Sequence, residues 1–272
     1  RRCLARLLPA SLLVEIDPGL RALGARAAGE MLDLSAAAEA DPPRHVPFDA
    51  WGRRVDHIAT SPAWERLHAI AAEEGIVATA YERRHGALSR VHQFARLYLY
   101  HPSSAIASCP MAMTDGAARV LELFAEDDLR AHALPRLLSR DPATFWTSCQ
   151  WMTEREGGSD VSGTATVARR EGDGFRLYGS KWFTSATSAP MALTLARLDG
   201  APAGSRGLTM FYLALRDPAG HLQGVRVLRL KDKLGTRALP TAELELDGVP
   251  ARQVGGAGRG VATIATLLNI TR

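Results

Sequence analysis

Two short runs hold residue types suited to gripping a flat, phosphate-bearing ligand. The first is QWMTEREGGSD, residues 150–160, which leaves a stretch with strand character. Gly157 and Gly158 carry no side chain, so backbone N–H groups there can approach a ligand closely. Thr153, Ser159 and the neighbouring amides add neutral donors that suit carbonyls, ring nitrogens and phosphates. The second run is GSKWFTS, residues 179–185, at the end of a hairpin's second strand. Adjacent Trp182 and Phe183 on a strand point to opposite faces, so one can enter the core while the other covers a flat ring. Ser185, two residues past Phe183, shares its face. Taken singly, each run has a plain structural explanation: a glycine turn after a strand, and aromatic core packing.

Other chemistries find little support. Cys3, Cys109 and Cys149 are far apart and odd in number, giving neither a disulfide framework nor a CxxC zinc pattern, which points to a reducing compartment. No HExxH occurs, and the closeness of His85 and His92 on one helix face is better read as surface or core than as a metal site. GGAGRG at 255–260 resembles a dinucleotide fingerprint, but Val261 stands where the last glycine is needed. Ser159 is no nucleophile elbow, because Val161 breaks G-x-S-x-G. Glu154 is a tempting base beside the first run, yet strand alternation turns it away from Thr153. Lys231, Lys233 and Arg237 in KDKLGTR read first as a solvated turn and second as a phosphate-facing surface.

The elements that must position these residues fall in two textures. Up to residue 144 the chain reads as helix. Ser61 is an N-cap candidate with Pro62 in the first turn, and Trp64, Leu67 and Ile70 follow at helical spacing. Leu88, Val91, Phe94, Ala95 and Tyr98 repeat the pattern, as do Val120, Leu121 and Phe124, then Leu129, Ala133 and Leu137. Proline and polar clusters at 40–48, near Pro102 and at 139–143 read as connections. From about 145 the pattern turns to strands. A hairpin spans Thr164–Arg170, the EGDG turn and FRLYG, and further strands fall at 191–198, 207–215, 224–230 and 241–247, the spacing of an antiparallel barrel or sandwich. After Gly260 a helical pattern returns and runs to Arg272, as a helix cut short. The expected fold is therefore α+β and multidomain: a helical domain (1–144), an antiparallel β-barrel-like domain (145–254) and the first helix of a truncated C-terminal bundle (255–272).

The chain has 272 residues and a net charge of +4. Residues 1–144 hold 17 arginines against 18 acids, and residues 145–272 hold 16 basic against 11 acidic side chains, so the excess sits in the second half. Spread along strands and loops, it suits a phosphate-bearing small ligand as well as DNA. Only Lys181, Lys231 and Lys233 are lysines. No run reaches the roughly 20 apolar residues that cross a bilayer. The acid-free start RRCLARLLPASLL reads as a helical terminus, with a targeting remnant as the other reading.

In this order and spacing, the runs resemble the acyl-CoA dehydrogenase family. LPRLLSRDPATFWTSCQWMTEREGGSDVSGTATVARREGDGFRLYGSKWFTS is similar to the family's passage from its last N-terminal helix into the β domain. KDKLGTRALPTAELELDGVPARQVGGAGRGVATIATLLNITR is similar to the family's next stretch, into the first helix of the C-terminal domain. WMTEREGGSD, KWF-x-S, RLKDKLG and PFDAWGRRVDHIATSPAWERL resemble the alkylation-response AidB-like branch. The resemblance implies FAD held by Gln150, Trp151, Met152, Thr153, Gly158 and Ser159, with Phe183, Thr184 and Ser185 along the isoalloxazine. It implies Ser159 and Arg272 at the acyl-CoA, a guanidinium being suited to phosphates. It places the acyl pocket near Cys109–Thr114. The chain departs from the family at Ala186, where an Asn is usual, and at Asn269, where many relatives carry Asp.

The activity implied is α,β-dehydrogenation of an acyl-CoA, within fatty acid metabolism, with hydride passing to flavin N5. The family's catalytic carboxylate lies in the C-terminal domain, so no residue here is assigned as the base. The alternative is a weakly catalytic or non-catalytic flavoprotein that binds acyl-CoA, or binds DNA through the missing C-terminal domain. A non-flavin interaction module is the remaining reading. The family usually forms dimers or tetramers, so a homo-oligomer is expected.

Overall fold

The computed structural model describes residues 2–156, 158 and 160–271. Helices α1 (Leu4–Leu7), α2 (Ala10–Ala28) and α3 (Glu30–Ala40) open the chain, followed by strands β1 (Arg44–Phe48) and β2 (Arg54–Ala59). Helices α4 (Pro62–Glu73), α5 (Ala78–Tyr81), α6 (Ser89–Tyr100), α7 (Ser108–Phe124) and α8 (Asp127–Leu137) complete the first part. Strands β3 (Ser148–Trp151), β4 (Val167–Glu171), β5 (Gly174–Ser185), β6 (Met191–Leu198), β7 (Leu208–Ala214), β8 (Val225–Leu230) and β9 (Thr241–Val254) form the second, and α9 (Gly260–Thr271) ends it.

Local chemistry sets several of these boundaries. Ser61 Oγ accepts the Trp64 N–H at 3.2 Å, capping α4, and Pro62 fills the first turn, where its missing N–H is not needed. Trp64, Leu67 and Ile70 are then buried, as their spacing predicts. On α6 the expected apolar face is divided. Val91 and Ala95 pack toward Leu12, Ile16 and Leu20 of α2, while Phe94 and Tyr98 remain exposed. The inward side is polar instead. Buried Gln93 donates to the Ile76 carbonyl at 3.0 Å and to Asp115 at 2.6 Å, and Arg90 and the Tyr81 hydroxyl reach the same carboxylate.

The 40–48 region differs from the connection expected of it. β1 and β2 pair antiparallel, Arg44 opposite Ala59. Asp49 Oδ1 closes the turn by accepting the Trp51 and Arg53 N–H groups. Asp56, buried, accepts from His45, from Arg54 and from the Val227 N–H, and so welds the hairpin to β8. That last bond joins residues 171 apart in sequence, which no local pattern could reveal.

The seven-stranded sheet runs β3-β6-β4-β5-β9-β7, with β8 against β9 and an added β6–β7 pairing that closes the path into a barrel. It is mixed, and not the purely antiparallel sheet the strand spacing suggested. β6 pairs parallel with both β3 and β4. The long loop between Trp151 and Val167 carries the chain across β6, and a connection of that length does not require the antiparallel return of a tight hairpin. The hairpin expected at 164–179 does form, as β4 and β5, with Glu171 opposite Gly174. α9 lies between α7 and β7 at close range. A Cβ on Gly116 would sit 2.6 Å from Leu267 Cγ, and one on Gly260 2.7 Å from the Leu208 carbonyl oxygen, so both contacts need glycine. No helix of the described residues is long and apolar enough to cross a membrane.

Candidate functional site

The two runs singled out in the sequence meet at one place on the barrel. Past the end of β3, the Thr153 carbonyl accepts the Trp182 N–H of β5 at 2.9 Å. Thr153 and Phe183 are both exposed, Phe183 at 49%. Gly158 is exposed as well, and a Cβ there would meet no protein atom within 4 Å, so the chain's own packing does not explain the missing side chain. Gly157, Ser159 and Arg272 lie outside the described residues.

The exposure of Phe183 depends on a β-bulge. Along β5 and β9, Lys181 opposes Leu244 but Thr184 opposes Ala242, so β5 carries one extra residue across that interval. On a regular strand Lys181 and Phe183 would share a face. Here Lys181 is 1% exposed and Phe183 half exposed. Neither aromatic ring enters the core. Trp182 is half-buried beneath two cations, with Lys231 Nζ 3.5 Å from its ring centroid and the Arg155 guanidinium 5.5 Å away.

Two residues expected along the ligand face turn inward. Trp151 is wholly buried in the main core cluster, and its indole Nε1 has no hydrogen-bond partner among the described residues. Thr184 is also buried, donating its hydroxyl to the Ala242 carbonyl at 2.7 Å. Trp151 is inward because it falls on the core side of β3, and Thr184 because the bulge restarts the alternation one residue later. Of the others, Gln150 and Met152 are half-buried and contact each other, Nε2 to Sδ at 3.2 Å. Ser185 is half-buried, its hydroxyl 3.1 Å from that of Thr241. In the expected acyl region, Thr114 is buried and its Oγ1 accepts the Ser148 N–H, tying α7 to the start of β3.

Behind this face lies a buried ion pair that was not expected from the sequence. Lys181 Nζ stands 2.7 Å from Glu154 Oε1 and 3.1 Å from the Leu195 carbonyl. Glu154 also accepts the Ala165 N–H at 2.6 Å and the Thr166 N–H and hydroxyl. Burial works against its charge, but Lys181 and these donors outweigh burial and hold the carboxyl below its ordinary range. The pair links the residue after Thr153 to the residue before Trp182, so it fixes both edges of the exposed face. A signal did exist: Lys181 is one of only three lysines in an arginine-rich chain.

The lysines of KDKLGTR are held inward too. Lys231 pairs with Glu243 at 2.7 Å, and Lys233 donates to the Leu239 carbonyl at 2.7 Å. His85 and His92 have ring centroids 5.6 Å apart, and among the described residues no group of three or more His, Cys, Asp or Glu side chains could hold a metal ion. An exposed aromatic ring and an exposed threonine on segments joined by a backbone bond, and an exposed glycine whose missing side chain packing does not explain, are residue types suited to a flat, partly apolar ligand. Those residues fit an isoalloxazine ring in both shape and donor chemistry.

Comparison with known proteins supplies the context. The pattern of the family described as "Acyl-CoA dehydrogenase, middle domain" matches residues 149–249, and that of the "Adaptive response protein AidB N-terminal domain" matches residues 2–142. "Acyl-CoA dehydrogenase family member 11" of Caenorhabditis elegans is 48% identical over 100% of this chain and 46% of its own length. The crystal structure of C. elegans ACDH-11 in complex with C11-CoA superposes with a TM-score of 0.95 at 48% identity, over 99% of this chain and 47% of that one. "Putative acyl-CoA dehydrogenase AidB" of Escherichia coli K12 is 31% identical over 89% of this chain and 46% of its own length. An acyl-CoA dehydrogenase complexed with FAD from Bacillus anthracis shares the fold, with a TM-score of 0.72 at 18% identity over 95% of this chain and 41% of that one. The chain spans about half the length of the curated relatives it matches.

Proposed function

The chain belongs to the acyl-CoA dehydrogenase family, and from that premise we propose that it forms the flavin-facing part of an FAD-dependent enzyme that desaturates an acyl-CoA between Cα and Cβ. The observation that carries the proposal is the Trp182 N–H to Thr153 carbonyl bond, which ties the segment of exposed Thr153 to the segment of exposed Phe183. FAD, when bound, supplies the two-electron acceptor for the β hydrogen.

In this reading Thr153 hydrogen-bonds the ring edge. Phe183 covers its flat face, and Gln150, Met152 and Ser185 border it. Gly158 leaves room for the backbone to reach the cofactor. Trp151 and Thr184 support the wall from inside. Ser159 and Arg272 serve the phosphates of the acyl-CoA, where a permanently charged guanidinium is well suited. Glu154 is not the base that takes the α proton: it is buried, bound to Lys181 and engaged by Ala165 and Thr166. No carboxylate of this chain is assigned that role.

The test is anaerobic bleaching. Protein spanning the full length of its relatives and loaded with FAD, mixed with acyl-CoAs of graded chain length, is expected to lose its oxidised flavin absorbance with at least one of them, whereas this chain alone is expected to be inactive. Retention of the spectrum with every chain length would remove the enzyme reading.

The second reading is a flavoprotein that holds acyl-CoA or DNA with little turnover. It is favoured by the basic excess of residues 145–272, 16 basic against 11 acidic side chains. If DNA is the partner, retention on duplex DNA should fall steeply between about 50 and 200 mM salt, as counterion release requires. Salt-independent or absent retention disposes of that version. A homo-oligomer completes the proposal, read directly by sedimentation.

A further inference from the structure

A second cleft, of about 410 Å³, opens where the first hairpin, α4, the 142–147 connection and the β5–β6 loop meet. It shares none of its lining residues with the wall around Thr153 and Phe183. At its β end stands Arg216, half-buried, with one hydrogen bond, from Nη1 to the Gly220 carbonyl at 2.9 Å. Among the described residues no carboxylate lies within ion-pair distance of it. The contrast with six other arginines is informative. Arg21, Arg26, Arg66, Arg90, Arg229 and Arg252 all have their pKa raised, each with a carboxylate against it. Arg216 is instead pushed down, by burial. A guanidinium partly stripped of water and lacking a counter-ion is an unmet demand for an anion.

The rest of the cleft is not built for a bare inorganic ion. Trp64 and Phe145 give it aromatic walls, and Ser188 and Thr147 supply hydroxyls. His68 tilts against Trp64 with ring centroids 4.6 Å apart, and its Nδ1 donates to the Trp64 carbonyl at 3.0 Å. Burial keeps that imidazole below its ordinary pKa and so neutral near pH 7, so it adds no second positive charge. His57 also lines the cleft, exposed at its rim. The one acid in the lining, Glu65, is exposed and accepts from Thr60 at 3.1 Å. One fixed positive charge at the end of an aromatic slot of this size matches a single small anion with a flat apolar body.

We propose that this cleft binds a small monocarboxylate carrying an aromatic or similarly flat apolar group, with its carboxylate on Arg216 and its body between Trp64 and Phe145. The site is separate from the flavin wall and does not depend on the reading given to that wall.

Calorimetric titration with phenylacetate and with its neutral isostere phenylacetamide tests the proposal on the protein, with and without FAD. Phenylacetate is expected to bind at one site per chain, at least tenfold more tightly than the amide. Arg216→Gln should bring the two to parity. Ser188→Trp, which leaves Arg216 in place and fills the slot, should abolish binding of both, so the outcome does not hang on one variant folding. Equal affinity for acid and amide, or selectivity that survives Arg216→Gln, would overturn the carboxylate contact. Displacement of phenylacetate by inorganic phosphate at equal concentration would overturn the apolar body.

Discussion

Lys181→Met is expected to destabilise the protein by about 3–5 kcal/mol, the usual cost of removing one partner from a buried ion pair. Lys181 is 1% exposed and Glu154 7%, so water cannot replace the lost partner. In Lys181→Met the Glu154 carboxylate keeps its bonds from Ala165 and Thr166 but loses its counter-charge. The double variant Lys181→Met/Glu154→Gln buries no charge and should recover most of the loss. Urea unfolding of the three proteins measures this, with a melting drop of roughly 10 °C for the single variant. A single-variant loss below about 1 kcal/mol would mean that the pair does not hold the face together.

The pH dependence follows from the same carboxylate. Its folded pKa is depressed below the ordinary value of 4.5. The stability it contributes is therefore fully present above that value and is lost as the pH falls through the depressed folded pKa. Glu154→Gln should remove this part of the acid limb of the stability curve. An acid limb identical to that of the parent would assign acid unfolding to other carboxylates.

The second large effect separates neighbouring residues. Phe183→Ala should weaken FAD binding tenfold or more, because covering a phenyl ring is worth about 1.5–3 kcal/mol. It should leave stability nearly unchanged, since the ring is half exposed and packs little in the apoprotein. Thr184→Val should do the reverse. It removes the hydroxyl that donates to the Ala242 carbonyl at 2.7 Å, at a cost of about 1–3 kcal/mol, with FAD affinity preserved. FAD titration of the apoprotein, followed by flavin fluorescence, together with urea unfolding reads both effects. If Thr184→Val rather than Phe183→Ala loses the flavin, the face of β5 assigned to the cofactor is the wrong one.

That contrast marks how far local pattern reaches. Thr153, Gly158 and Phe183 stood out by residue type, as a donor, a missing side chain and an aromatic residue in runs whose order resembles one family, and the structure leaves all three exposed. Trp151 and Thr184 were grouped with them because a motif is contiguous, whereas a strand shows its ligand only alternate residues. The bulge at Trp182 and Phe183 depends on the register of β9, some 60 residues on, and leaves no mark in β5 itself. The β1–β2 hairpin escaped for a similar reason. Its Pro47 and polar neighbours read as a connection, and the contact that stabilises it reaches across to Val227.

From its residues alone, the chain specified a helical first part and a stranded second, the N-cap of α4 and the apolar stripes of α4 and α8, and the family to which its two motifs belong. Those properties depend on neighbours a few positions apart, and short-range sterics and periodicity record them directly. Which side chains of the two runs are exposed and which are buried, that the barrel is mixed, that Glu154 is paired with Lys181, and that Arg216 has no carboxylate against it among the described residues were settled only by folding. Each depends on which distant groups share one small volume, and burial strengthens or penalises a charge according to that company rather than its place in the sequence.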